Sequence, residues 1–552
     1  MNLHPSMLAV LGAVALASAC GGDSSGPSPL SACGAPAPQL SLVVAQYVSL
    51  DPVLDSGCVT FAANSSTDTA EYLVLAQSAG GAPAFSAPFD LASGTASRST
   101  TLPSVASARA DARGPVSVTF DAHLRNIGQT GRYPQFPLGA PPAGSAGPRP
   151  APAGPPTFGS GRTFEVCSNL SCSTLANVGA TVRAVGAHIA IYVDTLAPGG
   201  GLDSVDYDAL KQVFDTLLYP LDTATFGAVS DIDANTVVTV LMSNTVNQLV
   251  SNARCVSSGY VAGFFFPGDL DPVFAPQFNN GEVFYSIVAD PGGTLSCAHS
   301  TSAVKSVMPV TFTHEFQHMI NFVAHVRTRG GDSEEGWLDE GLSKYAEEIA
   351  GRAFLPGDPA SFSQFAIGSV YDAYQYLLDP VSSPLLIPAD TGTLAEVGAS
   401  WLFTRYIVDQ FGGTLPRQLV QTAQRGAANV SAQTGQPFAQ TVSRWGLANW
   451  VSDLPGFAAP TELQYSSWDF RTTFGSLHTQ DAANFPRAYP LVPLVASANS
   501  VSLSGTLWSG SGEYVRVVVA PGEAAFTLHL SANGTTPIST AIVPRLNVVR
   551  IR

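Results

Sequence analysis

Between residues 304 and 323 the chain holds an apolar run, Val304, Val307, Met308, Val310, Phe312, Phe316, Met319, Ile320 and Val323, interrupted by two imidazoles and a carboxylate. The interruption reads His314-Glu315-Phe316-Gln317-His318. A helix this apolar belongs in an interior, and burying two histidines and a glutamate there is costly unless they share a partner. Positions four apart stack on one helical face, so both rings can point at a single ion. Glu315 lies roughly 100° round the helix, within reach of a water on that ion but not of its inner shell. Ser306 is expected to cap this helix, with Pro309 in its first turn, where a missing N–H does little harm.

The residues that follow narrow the ligand set. A metzincin would place glycine at 321 and histidine at 324, where this chain has Asn321 and Ala324. His325 is seven residues beyond His318, about 10 Å along a continuing helix, too far to share the ion; it is expected at the surface or in support of the ligands. Gly330-Gly331 breaks the helix, and a second one over 335–351 carries Trp337-Leu338-Asp339-Glu340-Gly341-Leu342. This resembles the W-L-N-E-G signature of gluzincins, in which the glutamate completes the zinc shell, and an antiparallel helix pair would return Glu340 over His314 and His318. HEFQHMINF, WLDEGLSKYAEE, FFFPGDL and SWLFTRYIVDQFG together resemble the hyicolysin family of exported bacterial zinc metallopeptidases, over about residues 161–475. The chain departs from the gluzincin pattern at Asp339, where asparagine is usual. It departs again at Lys344, where thermolysin-like enzymes carry an aspartate that orients the first histidine.

The resemblance implies one Zn2+ held by His314, His318 and Glu340, with Glu315 as the base in peptide hydrolysis and protein or peptide substrates. Tyr371, Tyr374, Tyr376 and Tyr406 lie downstream as residues that could steady the transition state. The alternatives are another gluzincin-type metallohydrolase such as an aminopeptidase, or an inactive surface binding protein; the intact His314, Glu315, His318 and Glu340 weigh against the latter. Asp231, Asp233 and Asn235 alternate as in a Ca2+ loop, but no glycine follows and no glutamate closes the loop, so a turn is the better reading and Ca2+ a secondary one.

The remainder of the chain sets the address and architecture. An apolar run of residues 7–17 ends in Leu16-Ala17-Ser18-Ala19-Cys20, which resembles a bacterial lipobox. Residues 1–19 are therefore expected to be a lipoprotein signal peptide, Cys20 the lipidated membrane anchor, and 20–36 a flexible tether; a conventional secretory signal is the alternative. Six further cysteines suggest disulfides 33–58, 167–172 and 255–297, as befits an extracytoplasmic protein. No later segment is apolar for long enough to span a bilayer. A net charge of −16, from 25 basic and 41 acidic residues, argues against nucleic acid as a partner; a monomer is expected.

Short alternating runs predict an N-terminal β domain over 37–126, containing His123 in a structural role, and a C-terminal β domain over 481–552, both sandwich-like. The Pro- and Gly-rich segment 127–160 reads as a semi-rigid linker or a propeptide junction. Residues 161–480 form the expected α+β, thermolysin-like zincin domain, with a helix over 205–219 and strands at 187–194, 236–243 and 282–289. The last of these, at 283–288, is expected to pair with substrate backbone. Further helices are expected near 361–378, 393–411, 416–426 and 435–451.

Overall fold

The computed structural model describes residues 33, 37–54, 56–93, 115–137, 139, 154–388 and 391–552. The expected signal peptide, Cys20 and all of the tether except Cys33 lie outside them. The first part of the chain supplies strands β1 (Gln39–Leu40), β2 (Tyr47–Leu50), β3 (Cys58–Phe61), β4 (Ala70–Ser78) and β5 (Ser86–Ser93), then helix α1 (Val116–Thr130). Next come β6 (Gly161–Cys167), β7 (Leu175–Val185), β8 (Ile189–Asp194), α2 (Ser204–Val213), β9 (Val238–Met242), β10 (Gly263–Phe265) and β11 (Val283–Ser286). A helical block follows: α3 (Thr301–Phe322), α4 (Gly336–Arg352), α5 (Pro359–Leu378), α6 (Leu394–Phe411), α7 (Phe438–Val451) and α8 (Phe470–Gln480). The chain closes with β12 (Leu494–Ser497), β13 (Ser502–Trp508), β14 (Gly512–Val519), β15 (Phe526–Ser531) and β16 (Pro544–Arg550). The protein is mixed α+β.

The two expected β domains are one. Their strands interleave in two five-stranded sheets, ordered β1-β3-β15-β5-β13 and β12-β14-β4-β16-β2. The reason is visible in β4, whose sequence AEYLVLAQS is apolar on both faces and needs a hydrogen-bonding neighbour on both edges. β14 and β16 supply them, both antiparallel. Along β4, Tyr72, Val74 and Ala76 fill the sandwich interior, while Leu73 and Leu75 point the other way into the core of the central region. That outer face packs on α7, where Gln77 donates to the Val442 carbonyl at 3.2 Å and the Tyr514 hydroxyl to the Gly446 carbonyl at 2.7 Å. A side chain at 446 would meet Leu75 Cδ2 at 2.7 Å, so glycine permits the contact.

α1 straddles the expected boundary at 126/127 and corrects it. Pro115 precedes it, Gly131 ends it in a left-handed conformation (φ 61°), and Val116, Phe120, Leu124 and Ile127 are buried at helical spacing.

The central sheet runs β10-β11-β9-β8-β7-β6. β11, expected to receive substrate, is interior, parallel to β9 on one side and antiparallel to β10 on the other. With its backbone groups committed to both neighbours it cannot take a third strand. The edge on that side belongs to β10, in the GFFFPGDL segment. α3 packs on this sheet through Phe312 against Phe284 (5.3 Å between ring centres), and Phe316 lies 5.3 Å from Phe214. α3 also begins earlier than expected. The Ser300 hydroxyl, not that of Ser306, caps it by accepting from the Ala303 N–H at 3.1 Å, which puts Pro309 in the helix interior. The helix expected over 205–219 is α2 continued by a π turn (Phe214–Leu218) and Tyr219–Thr225. That expected over 416–426 shortens to Leu415–Val420.

Cys33–Cys58, Cys167–Cys172 and Cys255–Cys297 are bonded as expected, which fits an extracellular location. Among the described residues no helix is long and apolar enough to cross a membrane.

Candidate metal centre and cleft

α3 and α4 run as neighbours joined across the Gly330-Gly331 break, and this pairing brings three potential ligands together. His314 Nε2 and His318 Nε2 stand 3.1 Å apart. Glu340 of α4 places Oε1 3.7 Å from the first and Oε2 3.6 Å from the second. A tetrahedral ion with bonds of about 2.0–2.1 Å keeps its donor atoms about 3.3 Å apart, so the triangle is the right size for one.

The atoms behind the rings support the same reading. Glu347 Oε1 lies 2.8 Å from His314 Nδ1, and Asp339 Oδ2 lies 3.0 Å from His318 Nδ1. A carboxylate at Nδ1 selects the tautomer with its proton there, which leaves the two Nε2 lone pairs facing each other. Such a pair repels unless a cation sits between. The electrostatics agree: burial alone would depress the His314 pKa, yet Glu340, the Glu347 hydrogen bond and Glu315 together raise it to about 9. Burial likewise pushes Glu340 up, but the two histidines and Lys344 pull it far below the usual carboxylate range. The site is built for positive charge. His314, His318 and Glu340 can hold a metal ion.

Glu347 and Asp339 went unidentified as orienting groups in the sequence reading. Glu347 lies one helical turn beyond Ser343 and two beyond Glu340, on the ligand-bearing face of α4, and that spacing was the available signal. Lys344, at the position where an aspartate was anticipated, serves differently. Its ammonium lies 3.4 Å from Glu347 and 3.6 Å from Asp372 and offsets the carboxylates crowded behind His314. Glu347→Ala is expected to weaken metal binding about 10–100-fold by freeing the His314 ring; competition with a coloured chelator measures this, and an unchanged affinity would remove Glu347 from the role.

Glu315 is buried at the mouth of the same site, with Oε2 accepting from the Phe265 N–H of β10 at 2.8 Å. A cleft of about 670 Å³ opens beside it, lined by His314, Glu315, Glu340, Lys344, Gly263 and Asp121, among others. Asp121 comes from α1; burial with the charges of Glu315 and Glu340 raises its pKa to about 7.

Other expected residues fall elsewhere. None of the four tyrosines lines this cleft. Tyr374 and Tyr406 donate to the Arg487 and Glu462 carbonyls, Tyr376 stacks on Trp445, and Tyr371 packs against Phe485. His325 is fully buried, not superficial, 3.9 Å from Glu334, and burial lowers its pKa to about 4. His123 contacts the Ser171 carbonyl at 3.0 Å. Asp231 makes the expected turn, its Oδ1 accepting from the Asn235 and Thr236 N–H groups. Asp231, Asp233 and Glu282 could together hold a cation, although Glu282 Oε1 already accepts from Ser230 and Ile232, and Arg162 approaches Asp233 to 3.8 Å. Compared with protein-family models and with curated proteins, the chain matches none.

Proposed function

We propose that the protein is a zinc-dependent extracytoplasmic endopeptidase of the gluzincin type, with His314, His318 and Glu340 as ligands and Glu315 as general base. The observation that carries this reading is the convergence of His314, His318 and Glu340 on one point, with His314, Glu315 and Glu340 lining an open cleft beside β10, an edge strand of the central sheet. Two imidazoles and one carboxylate form a donor set typical of catalytic zinc, which supplies Lewis-acid polarisation of a carbonyl and lowers the pKa of a water to about 7. With a metal bound, Glu315 would serve as the base, its carboxylate standing beside the ligands to accept a proton from the attacking water and pass it to the departing amine. Glu347 and Asp339 hold the two rings by their Nδ1 protons, so the ligands need not reorganise during turnover. The edge of β10 offers backbone groups to an extended peptide, which favours chain-internal cleavage over a closed pocket for a free amino terminus. A lipid on Cys20 would keep the enzyme at a membrane face.

Purified protein is expected to contain about one zinc per chain. Stripping it with 1,10-phenanthroline should abolish casein hydrolysis, and added Zn2+ should restore it. Casein hydrolysis that persists in the stripped protein would defeat the proposal.

A further inference from the structure

α1 packs against β10, the edge strand beside the candidate site. Its buried face carries Phe120 against Phe264 of β10, 5.2 Å between ring centres. One turn apart on the helix, Asp121 and Arg125 reach the cleft machinery. Arg125 donates to the Phe265 carbonyl at 3.0 Å, and its guanidinium stands 3.6 Å from Asp339, the partner of His318. Phe265 thus has both backbone groups engaged off the edge of the sheet: its N–H by Glu315 and its carbonyl by Arg125. An extended peptide pairing with β10 at this residue needs the same groups. The helix itself holds the carbonyl, so α1 and a substrate compete for that half of the pairing.

Asp121 points to the same conclusion. It lines the cleft with His314, Glu315 and Glu340, and also a second cavity of about 110 Å³ shared with Glu340 and Trp337. Its Oδ1 is buried without a hydrogen-bond partner. A bare carboxylate oxygen among two further carboxylates is unfavourable unless it takes up a proton or shares a cation with them. Three ligands leave one tetrahedral corner open; Asp121 stands outside the ligand triangle itself but lines the same cleft, and is the carboxylate a bound cation would draw in. The carboxyl-terminal end of the helix is pinned as well: Gln129 donates to the Glu334 carbonyl at 2.9 Å, and the hydroxyl of Tyr133, just beyond it, donates to Asp271 at 3.0 Å.

We infer that α1 is a built-in inhibitor: Asp121 meets the metal, Arg125 caps the substrate-binding edge of β10, and the chain as described is latent. This rests on the metallopeptidase reading above. Because β1–β5 are woven between carboxyl-terminal strands, the segment before α1 stays attached. Activation is therefore displacement of the helix, not departure of an amino-terminal domain.

The test uses the full chain loaded with Co2+, titrated with acetohydroxamate and followed by visible absorption. If the helix closes the site in all but a tenth of molecules, wild type should bind this probe about tenfold more weakly than the open form. Asp121→Ala should recover that factor, shift the Co2+ spectrum before any probe is added, and raise casein hydrolysis. Asp121→Asn, which preserves size without charge, should do the same and serves if the alanine variant does not fold. Equal spectra and equal hydroxamate affinity in wild type and both variants would overturn the inhibitor. So would loss of casein hydrolysis with unchanged affinity, which would make Asp121 a working part of catalysis. Failure of the underlying reading looks different: wild type would take up no more Co2+ than His314→Ala.

Discussion

Glu315→Ala protein is expected to retain its zinc and to lose casein hydrolysis by roughly 10²–10⁴-fold, the range a positioned general base contributes. Separation of these two effects is the point of the experiment. Glu315 sits on α3 between the ligands, but its carboxylate turns to the Phe265 N–H and the cleft, while Glu340 closes the ligand triangle. Removal of a ligand should empty the site; removal of Glu315 should leave it filled and idle. Metal content comes from elemental analysis, and activity from kcat/KM on a casein-derived peptide. A fall in kcat with little change in KM would mark a transition-state role. Loss of the metal together with the activity would instead place Glu315 among the ligands.

The second large effect concerns Glu348, the neighbour of Glu347 on α4. It is fully buried, with Oε1 accepting from Arg352 Nε and Trp468 Nε1, both at 2.7 Å, and from Arg405 at 3.4 Å. Oε2 accepts from Trp401 Nε1 at 3.1 Å. About 100° apart on the helix, Glu347 holds the His314 ring while Glu348 ties α4 to α6 and to the segment entering α8. Glu348→Ala would leave two indole N–H groups unpaired in an interior and the Arg405 guanidinium with Asp409 alone, at 2.8 Å. The expected cost is about 3–5 kcal/mol, as for a buried pair that loses one partner. Urea unfolding at equal zinc loading measures it. Glu348→Gln, which keeps an acceptor oxygen, should lose less. A midpoint unchanged in the alanine variant would show that water or a shifted side chain replaces the carboxylate. Because α4 carries Glu340, the destabilised protein should also bind zinc more weakly.

How much of this was written locally follows the range of the forces involved. His314, Glu315 and His318 were legible because helical periodicity alone puts them on neighbouring faces of one element, and Glu340 through the resemblance of its WLDEGL stretch to the gluzincin signature. The α1 spacing of Val116, Phe120, Leu124 and Ile127 was equally readable, but the Pro-rich stretch after it drew the boundary in the wrong place. The three disulfides followed from the pairing of sequence neighbours. β4 and β16, by contrast, look like ordinary strands in isolation, and nothing within either records that the two ends of the chain share one sandwich.

By itself, then, the sequence determined the helix pair that carries His314, His318 and Glu340 and the mixed α+β character, and suggested the cysteine pairing, all from periodicity, motif and short spacing. The tertiary structure alone decided which strand forms the edge beside the site, which carboxylates stand behind the histidines, and that α1 lines the cleft through Asp121 together with His314 and Glu340. Those depend on partners distant along the chain, where hydrogen bonds and buried charges are satisfied only after the sheets and helices have packed.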